Sequence, residues 1–197
     1  MKIPRVFYNR EDVVEIARDL LGKQLITKIN GHKTGGIIIE TEAYAGEGDR
    51  ASHAWNGRRT ARTEIMYGAG GVAYVYLIYG IHSLFNVVTN KKGVPHAVLI
   101  RGIYPAEGLG HMFQRIGKRR PLMDMGKGPG LVSKIMGIHF SHTGTPLTGN
   151  KIWLEDRGLE IDAKDILVSS RIGVEYAGED ALLPYRFNLD IDKVSWK

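Results

Sequence analysis

Asn30-Gly31 is the tightest local constraint in the chain. A two-residue type I′ turn needs positive φ at both central positions, which Asn and Gly tolerate best, so this dipeptide between two apolar runs signals a β-hairpin. The runs are 24–29 and 34–42, and two antiparallel strands are expected there. The second run carries Ile37, Ile38 and Ile39, then admits Glu40, Thr41 and Glu42 before any turn residue. If alternation continues, Glu40, Glu42 and Tyr44 share one face, with a carboxylate beside a ring at the strand's exit. A glutamate at a strand end most often marks where the chain meets water. Here Gly46, Glu47, Gly48, Asp49 and Arg50 lead within one short loop to His53. A partly buried carboxylate near an imidazole is equipment for activating water.

Along the rest of the chain, Asn9 is expected to cap a helix with Glu11 and Asp12 in its first turn, closed by Gly22. A short helical turn is expected over 60–66, followed by the tight turn YGAGG. The run AYVYLIYGIHSLFN, residues 73–86, alternates Tyr74, Tyr76 and Ile78 with Val75, Leu77 and Tyr79. Gly80 allows a bend, so 74–79 and 83–89 read as a hairpin, with 97–101 as the next strand ending on Arg101. Aromatics on both faces are ordinary in a doubly buried strand, yet at least one of these tyrosines has no place in a core. A helix is expected over 107–115, then Lys118, Arg119 and Arg120, a basic run that more often stays solvated than binds phosphate. Gly128-Pro129-Gly130 opens a further helix over 131–136, and 151–154, 167–170 and 185–190 read as later strands.

A chain of 197 residues supports one substantial core, and no linker divides it, so a single domain over 1–197 is expected. The absence of cysteine excludes disulfides and thiolate metal sites and suits a reducing compartment. No segment has signal-peptide or membrane-span character, and a soluble, cytoplasmic protein is expected. The formal charge of +6 favours a polyanionic partner such as nucleic acid. The 25 glycines are spread between patterned segments, as turns in a chain of many short strands.

The seven histidines form no HExxH motif, although Glu42, Asp49 and His53 are a candidate metal set for a hydrolase. Neither a GxSxG elbow nor a P-loop occurs, which removes serine hydrolase and nucleotide triphosphatase readings. Carboxylate chemistry on a substrate gripped by tyrosines remains.

The ordered set ETEAY (40–44), Ser52-His53, YVYLIYG (74–80), Asn86, VLIR ending at Arg101, GPG, WLED (153–156), SRIGV (170–174) and PYRF (184–187) resembles the alkyladenine, or 3-methyladenine, DNA glycosylase family over nearly the whole chain. The resemblance implies a monofunctional glycosylase of the base-excision repair type. Such an enzyme flips damaged purines out of double-stranded DNA and hydrolyses the N-glycosidic bond. Its substrates would be 3-methyladenine, 7-methylguanine and possible neutral lesions such as hypoxanthine or ethenoadenine. It implies Glu42 as the general base, with Arg101 and the Ile172 carbonyl holding the attacking water. Tyr44, His53 and Tyr76 would wall the flipped base, Asn86 would screen out normal guanine, and Tyr79 would intercalate as the wedge. The implied fold is α+β: a single mixed domain with a curved, largely antiparallel sheet, flanking helices and a protruding β-hairpin. No metal or cofactor, no membrane and a monomer are expected. Leu131 stands where the family commonly has a lysine, so Lys127 or Lys134 becomes the alternative phosphate contact. Two rivals stay open, a basic nucleic-acid-binding module without chemistry and a metal-dependent hydrolase using Glu42, Asp49 and His53.

Overall fold

β-Branched and aromatic residues at alternating positions draw the chain into eight strands: β1 (Gln24–Ile29), β2 (His32–Tyr44), β3 (Ala73–Ile78), β4 (His82–Thr89), β5 (His96–Glu107), β6 (Ile152–Glu155), β7 (Ile166–Ser169) and β8 (Arg186–Leu189). Among the described residues five α-helices accompany them: α1 (Arg5–Tyr8), α2 (Val13–Asp19), α3 (Leu109–Ile116), α4 (Leu122–Met125) and α5 (Pro129–Met136). The structure is a computed structural model and describes residues 1–117 and 120–190. Lys118 and Arg119 of the basic run lie outside the described residues.

The strands form one curled antiparallel sheet in the order β3-β4-β5-β2-β1-β6, with β8 added to β2 and β7 added to β8. The fold is therefore α+β, as the residue pattern predicts. β2 organises it. One edge pairs with β5 along most of its length, while the other pairs first with β1 and then, from Glu40 to Glu42, with β8. Glu42 thus sits opposite Leu99 on one side and Arg186 on the other, with no open strand edge beside it.

Three register shifts interrupt the β2–β5 ladder, one between Gly35 and Gly36 and two that flank Glu40 and compensate each other. Ile38 pairs with Ile103, Glu40 with Gly102 and Thr41 with Ile100, which leaves Ile39 unpaired on β2 and Arg101 unpaired on β5. An extra residue bends a strand and re-aims its side chain. The Arg101 guanidinium accordingly meets both Glu40 and Glu42.

Asn30 and Gly31 have φ of 52° and 78°, the positive values that a primed turn requires. Helix α2 is capped by Asp12, whose carboxylate accepts from the Val14 and Glu15 amides at 2.8 and 3.1 Å. Asn9 was the expected cap. It instead closes α1, donating its N–H to the Arg5 carbonyl, because that short turn already uses its backbone. Val13, Ile16, Ala17 and Leu20 are buried, and the Thr41 hydroxyl donates to the Ala17 carbonyl at 2.7 Å, pinning α2 to the strand that carries Glu42. β5 does not stop at Arg101. It continues to Glu107, so α3 begins only at Leu109, after Gly108 turns the chain with a φ of 76°. The core joins α2, α3 and α5 to the sheet around fully buried Phe85, Phe187, Ile100 and Met112. Among the described residues no helix is long and apolar enough to cross a membrane.

Candidate active site

Beside this sheet lies a cleft of about 870 Å³, lined by Tyr44, His53, Tyr74, Tyr76, Asn86, Leu99, Arg101 and Ile172, with Tyr79, Lys127, Leu131, Lys134 and Tyr176 also on its wall. Glu42 is not itself among the lining residues: it lies directly behind Tyr44, Arg101 and Ile172, as a floor beneath them, and is completely shielded, at 0 % exposure. The Ile172 amide donates to its Oε1 at 2.8 Å, the Tyr44 hydroxyl donates to its Oε2 at 2.8 Å, and Arg101 Nε lies 3.4 Å from Oε1. Burial raises the Glu42 carboxyl above the usual carboxylate range, against the opposing pull of Arg101, the Ile172 amide and the Tyr44 hydroxyl. Glu40 adds to the rise. A carboxylate so placed has enhanced proton affinity and two fixed donors that orient it.

Ile172 was expected to act through its carbonyl, and the contact seen at Glu42 is made by its N–H. Glu40 collects two guanidinium groups on one oxygen, Arg186 Nε at 2.7 Å and Arg101 Nε at 3.1 Å. It thereby holds Arg101 against the floor from the side away from Tyr44.

The loop after β2 brings His53 to the opposite wall. Its Nδ1 lies 2.8 Å from the Tyr74 hydroxyl, and Arg62 Nη2 lies 3.0 Å from its Nε2. The same Nη2 lies 3.3 Å from Nδ1, and because a guanidinium can only donate, at least one ring nitrogen is an unprotonated acceptor. Burial, with Arg62 and Arg58 nearby, pushes the imidazole down to about 4, and the ring is neutral at physiological pH. Its edge meets the Tyr76 face at a centroid separation of 4.7 Å, and Tyr74 and Tyr76 lie 5.5 Å apart. The Arg62 guanidinium carbon stands 4.8 Å from the Tyr76 centroid, so cation and ring already pair at this wall.

Asn86, on β4 opposite Tyr74, is buried and donates through Nδ2 to the Tyr74 and Leu84 carbonyls, which fixes the orientation of its carboxamide. Tyr79 occupies the β3–β4 turn with its side chain 86 % exposed. Tyr79 and Gly80 have φ of 53° and 71°, and the Ile81 amide returns to the Ile78 carbonyl. A tyrosine thus sits in a left-handed conformation that glycine or asparagine would occupy more easily.

Asp49 stands apart from the floor. Its two oxygens are taken by Arg171 and by the amides of Ala45 and Ala51, while His53 is engaged by Tyr74 and Arg62. Glu42, Asp49 and His53 therefore do not converge, and among the described residues no group of three potential metal ligands forms. The rival reading of a metal-dependent hydrolase built on those three residues finds no such grouping, since a buried arginine holds Asp49 where a metal would need it free.

The resemblance brought forward Glu42, Tyr44, His53, Tyr76, Tyr79, Asn86, Arg101 and Ile172; all but Glu42 line this cleft, and Glu42 lies behind it, hydrogen-bonded to Tyr44 and Ile172. Sequence reasoning missed Arg171, Tyr74, Arg62 and Arg186. Arg171 stands in SRIGV, one residue before Ile172, but an arginine in a short loop gives no sign that it will be buried.

The chain is 43 % identical over 192 residues to a protein of Chlamydia felis, covering 97 % of each chain, and 39 % identical over 196 residues to one of Desulfitobacterium hafniense, covering 96 % of this chain and 95 % of that one. A Methanocella arvoryzae protein is 44 % identical over 186 residues, covering 94 % and 90 %. All three are provisionally named 3-methyladenine DNA glycosylases. A sequence profile of the methylpurine-DNA glycosylase family matches residues 6–193, a span that includes every residue of the cleft, and the chain belongs to that family.

Proposed function

We propose that this chain excises alkylated purines, 3-methyladenine and 7-methylguanine first among them, from duplex DNA by hydrolysis at the anomeric carbon. The carrying observation is the Glu42 carboxylate held by Tyr44, Ile172 and Arg101, three residues that line an aromatic cleft, directly behind its wall. In this reading Tyr79 enters the stack from the hairpin tip while the damaged nucleotide swings into the cleft among Tyr44, His53 and Tyr76. A purine made cationic by alkylation is favoured there, since the negative faces of the rings attract it.

A water above the floor attacks the anomeric carbon. Its proton passes to Glu42, and the electron pair of the broken N-glycosidic bond leaves with the base. The Glu42 charge also steadies the oxocarbenium-like sugar as the base departs. Arg101 and the Ile172 carbonyl position the water. A cationic base leaves as a neutral molecule and needs no proton. The neutral His53, with Nε2 already bound to Arg62, does not serve as an acid for uncharged lesions. Asn86 narrows the cleft against the exocyclic amino group of normal guanine.

The test is incubation of wild-type protein and Glu42→Gln with methylated duplex DNA, with free bases resolved by chromatography. Wild type should release methylated purines, and the variant should bind the lesion duplex yet lose about 10²–10⁴-fold in rate, the range set by general base catalysis. Equal turnover removes Glu42 from the mechanism. Tight binding with no base released by wild type makes the chain a reader without chemistry.

A further inference from the structure

We infer that the buried Asp49–Arg171 pair is a positioning device for the catalytic floor, holding the Ile172 amide and the Tyr44 hydroxyl on Glu42. This inference rests on the reading of Glu42 as the base.

The pair is shielded almost completely, with Arg171 at 0 % and Asp49 at 2 % side-chain exposure. It is bidentate, Nη1 facing Oδ2 and Nη2 donating to Oδ1 at 2.8 Å. The guanidinium spends its remaining Nη capacity on backbone, Nη1 reaching the Ala43 carbonyl at 2.9 Å and Nη2 the Asp180 carbonyl at 3.0 Å. Asp49 in turn accepts from the amides of Ala45 and Ala51, each at 3.0 Å. The peptides on both sides of Tyr44 are thus anchored to one ion pair, the carbonyl before it directly and the amide after it through Asp49. Arg171 also stands 4.9 Å from the Tyr44 ring centroid and 5.2 Å from that of Tyr185. The next residue is Ile172, whose N–H meets Glu42.

Stability alone is a poor reason for this arrangement. Desolvating two charges offsets most of their attraction, and well-packed apolar side chains of similar volume commonly stabilise as much. Planar bidentate geometry supplies what apolar packing lacks: fixed direction at four backbone groups from three segments. Those segments are the end of β2, the loop that carries His53, and the stretch after β7. Two of the three donors around Glu42 are set by this pair, and the third, Arg101, is set by Glu40.

The experiment compares wild type with Arg171→Lys and Asp49→Asn, measuring melting, affinity for a methylated duplex, and the single-turnover rate of base release across pH. A lysine keeps the charge but has no planar fork, so Ile172 and Tyr44 lose their fixed approach. The groups around Glu42 are Glu40 and Tyr44 on its own strand, Arg101 on β5, Arg186 on β8, Tyr76 on β3 and Arg171 itself. Of these only the contacts set by Arg171 change. Arg171→Lys should keep affinity within a few-fold while the rate falls by about 10²-fold, the cost of an ångström-scale misplacement. The acid limb of the rate profile should move to higher pH, since the Ile172 amide no longer favours the charged carboxylate. An unchanged profile, or a rate loss equal to the unfolded fraction, overturns the inference and leaves the pair merely structural. If Arg171→Lys does not fold, Asp49→Asn, which keeps shape and acceptor oxygen, gives the same comparison. A wild type that releases no base defeats the functional reading instead. A wild type that does, with Glu42→Gln inactive and Arg171→Lys showing a normal profile, defeats only this inference.

Discussion

Replacing Tyr79 with asparagine should make the protein more stable and less able to handle DNA. The turn it occupies repeats the φ values of the other hairpin's turn, although its connection has three residues, 79–81, where the other has two: φ is 53° and 71° at Tyr79-Gly80, against 52° and 78° at Asn30-Gly31. One turn carries the preferred Asn-Gly pair and the other a tyrosine in the same left-handed conformation. That conformation costs an L-residue with an ordinary side chain roughly 1–2 kcal/mol, and asparagine escapes much of it. Because the Tyr79 side chain is 86 % exposed, its removal forfeits little burial. Tyr79→Asn should therefore gain about 1 kcal/mol, which for a chain of this length raises Tm by about 2–4 °C. Thermal melting followed by circular dichroism reads the gain. Asn30→Tyr, at an exposed turn of like geometry, should show a fall of similar size. In the same preparation, lesion binding by Tyr79→Asn should weaken, since asparagine leaves the gap in the base stack unfilled. A variant that melts at or below wild type would refute the strain argument, and one with undiminished lesion affinity would refute the wedge.

Removing the Glu42 charge should also stabilise the fold, in a pH-dependent way. Burial raises this carboxyl in the folded protein, so the folded state binds the proton more tightly than the unfolded one, and wild-type stability falls as pH climbs from about 4.5 through the raised value. Glu42→Gln lacks that loss, so its melting advantage should be small below pH 4.5 and grow toward neutrality; a constant difference would contradict the sign. Lys127 and Lys134 stand at the cleft wall near Leu131. If each meets a phosphate, Lys127→Ala and Lys134→Ala should each reduce the slope of log affinity against log salt by about one unit. An unaltered slope for either variant removes that lysine from the interface.

Alternation and turn chemistry made the sheet legible. Asn30-Gly31, the isoleucine run and the tyrosine strand all led to paired strands, because period-two burial and positive-φ turns are local properties of the chain. The limits of that legibility lie at particular residues. Asn9 and Asp12 are equally good caps on composition, and only the preceding turn of α1 decides between them. The bulges at Ile39 and Arg101 depend on two distant strands meeting out of step, which neither strand shows alone. The cleft residues were legible as types in order, carboxylate, tyrosines and arginine. Their supports were not, because Arg171 and Asp49 are 122 residues apart and each, taken alone, looks like a surface charge. Glu42 was expected to be partly buried, and it is fully shielded because β5 and β8 close both flanks of its strand.

That double closure bears on the order in which the molecule comes into being. Glu42 leaves the ribosome well before its partners: the amide that orients it lies 130 residues later and the strand that seals its second flank later still. A nascent chain that has not yet released Arg186 carries the carboxylate without its setting. The cleft is assembled only once β8 too has left the ribosome, and proteolytic trimming that removes β8 should silence it while sparing the hairpin of β1 and β2.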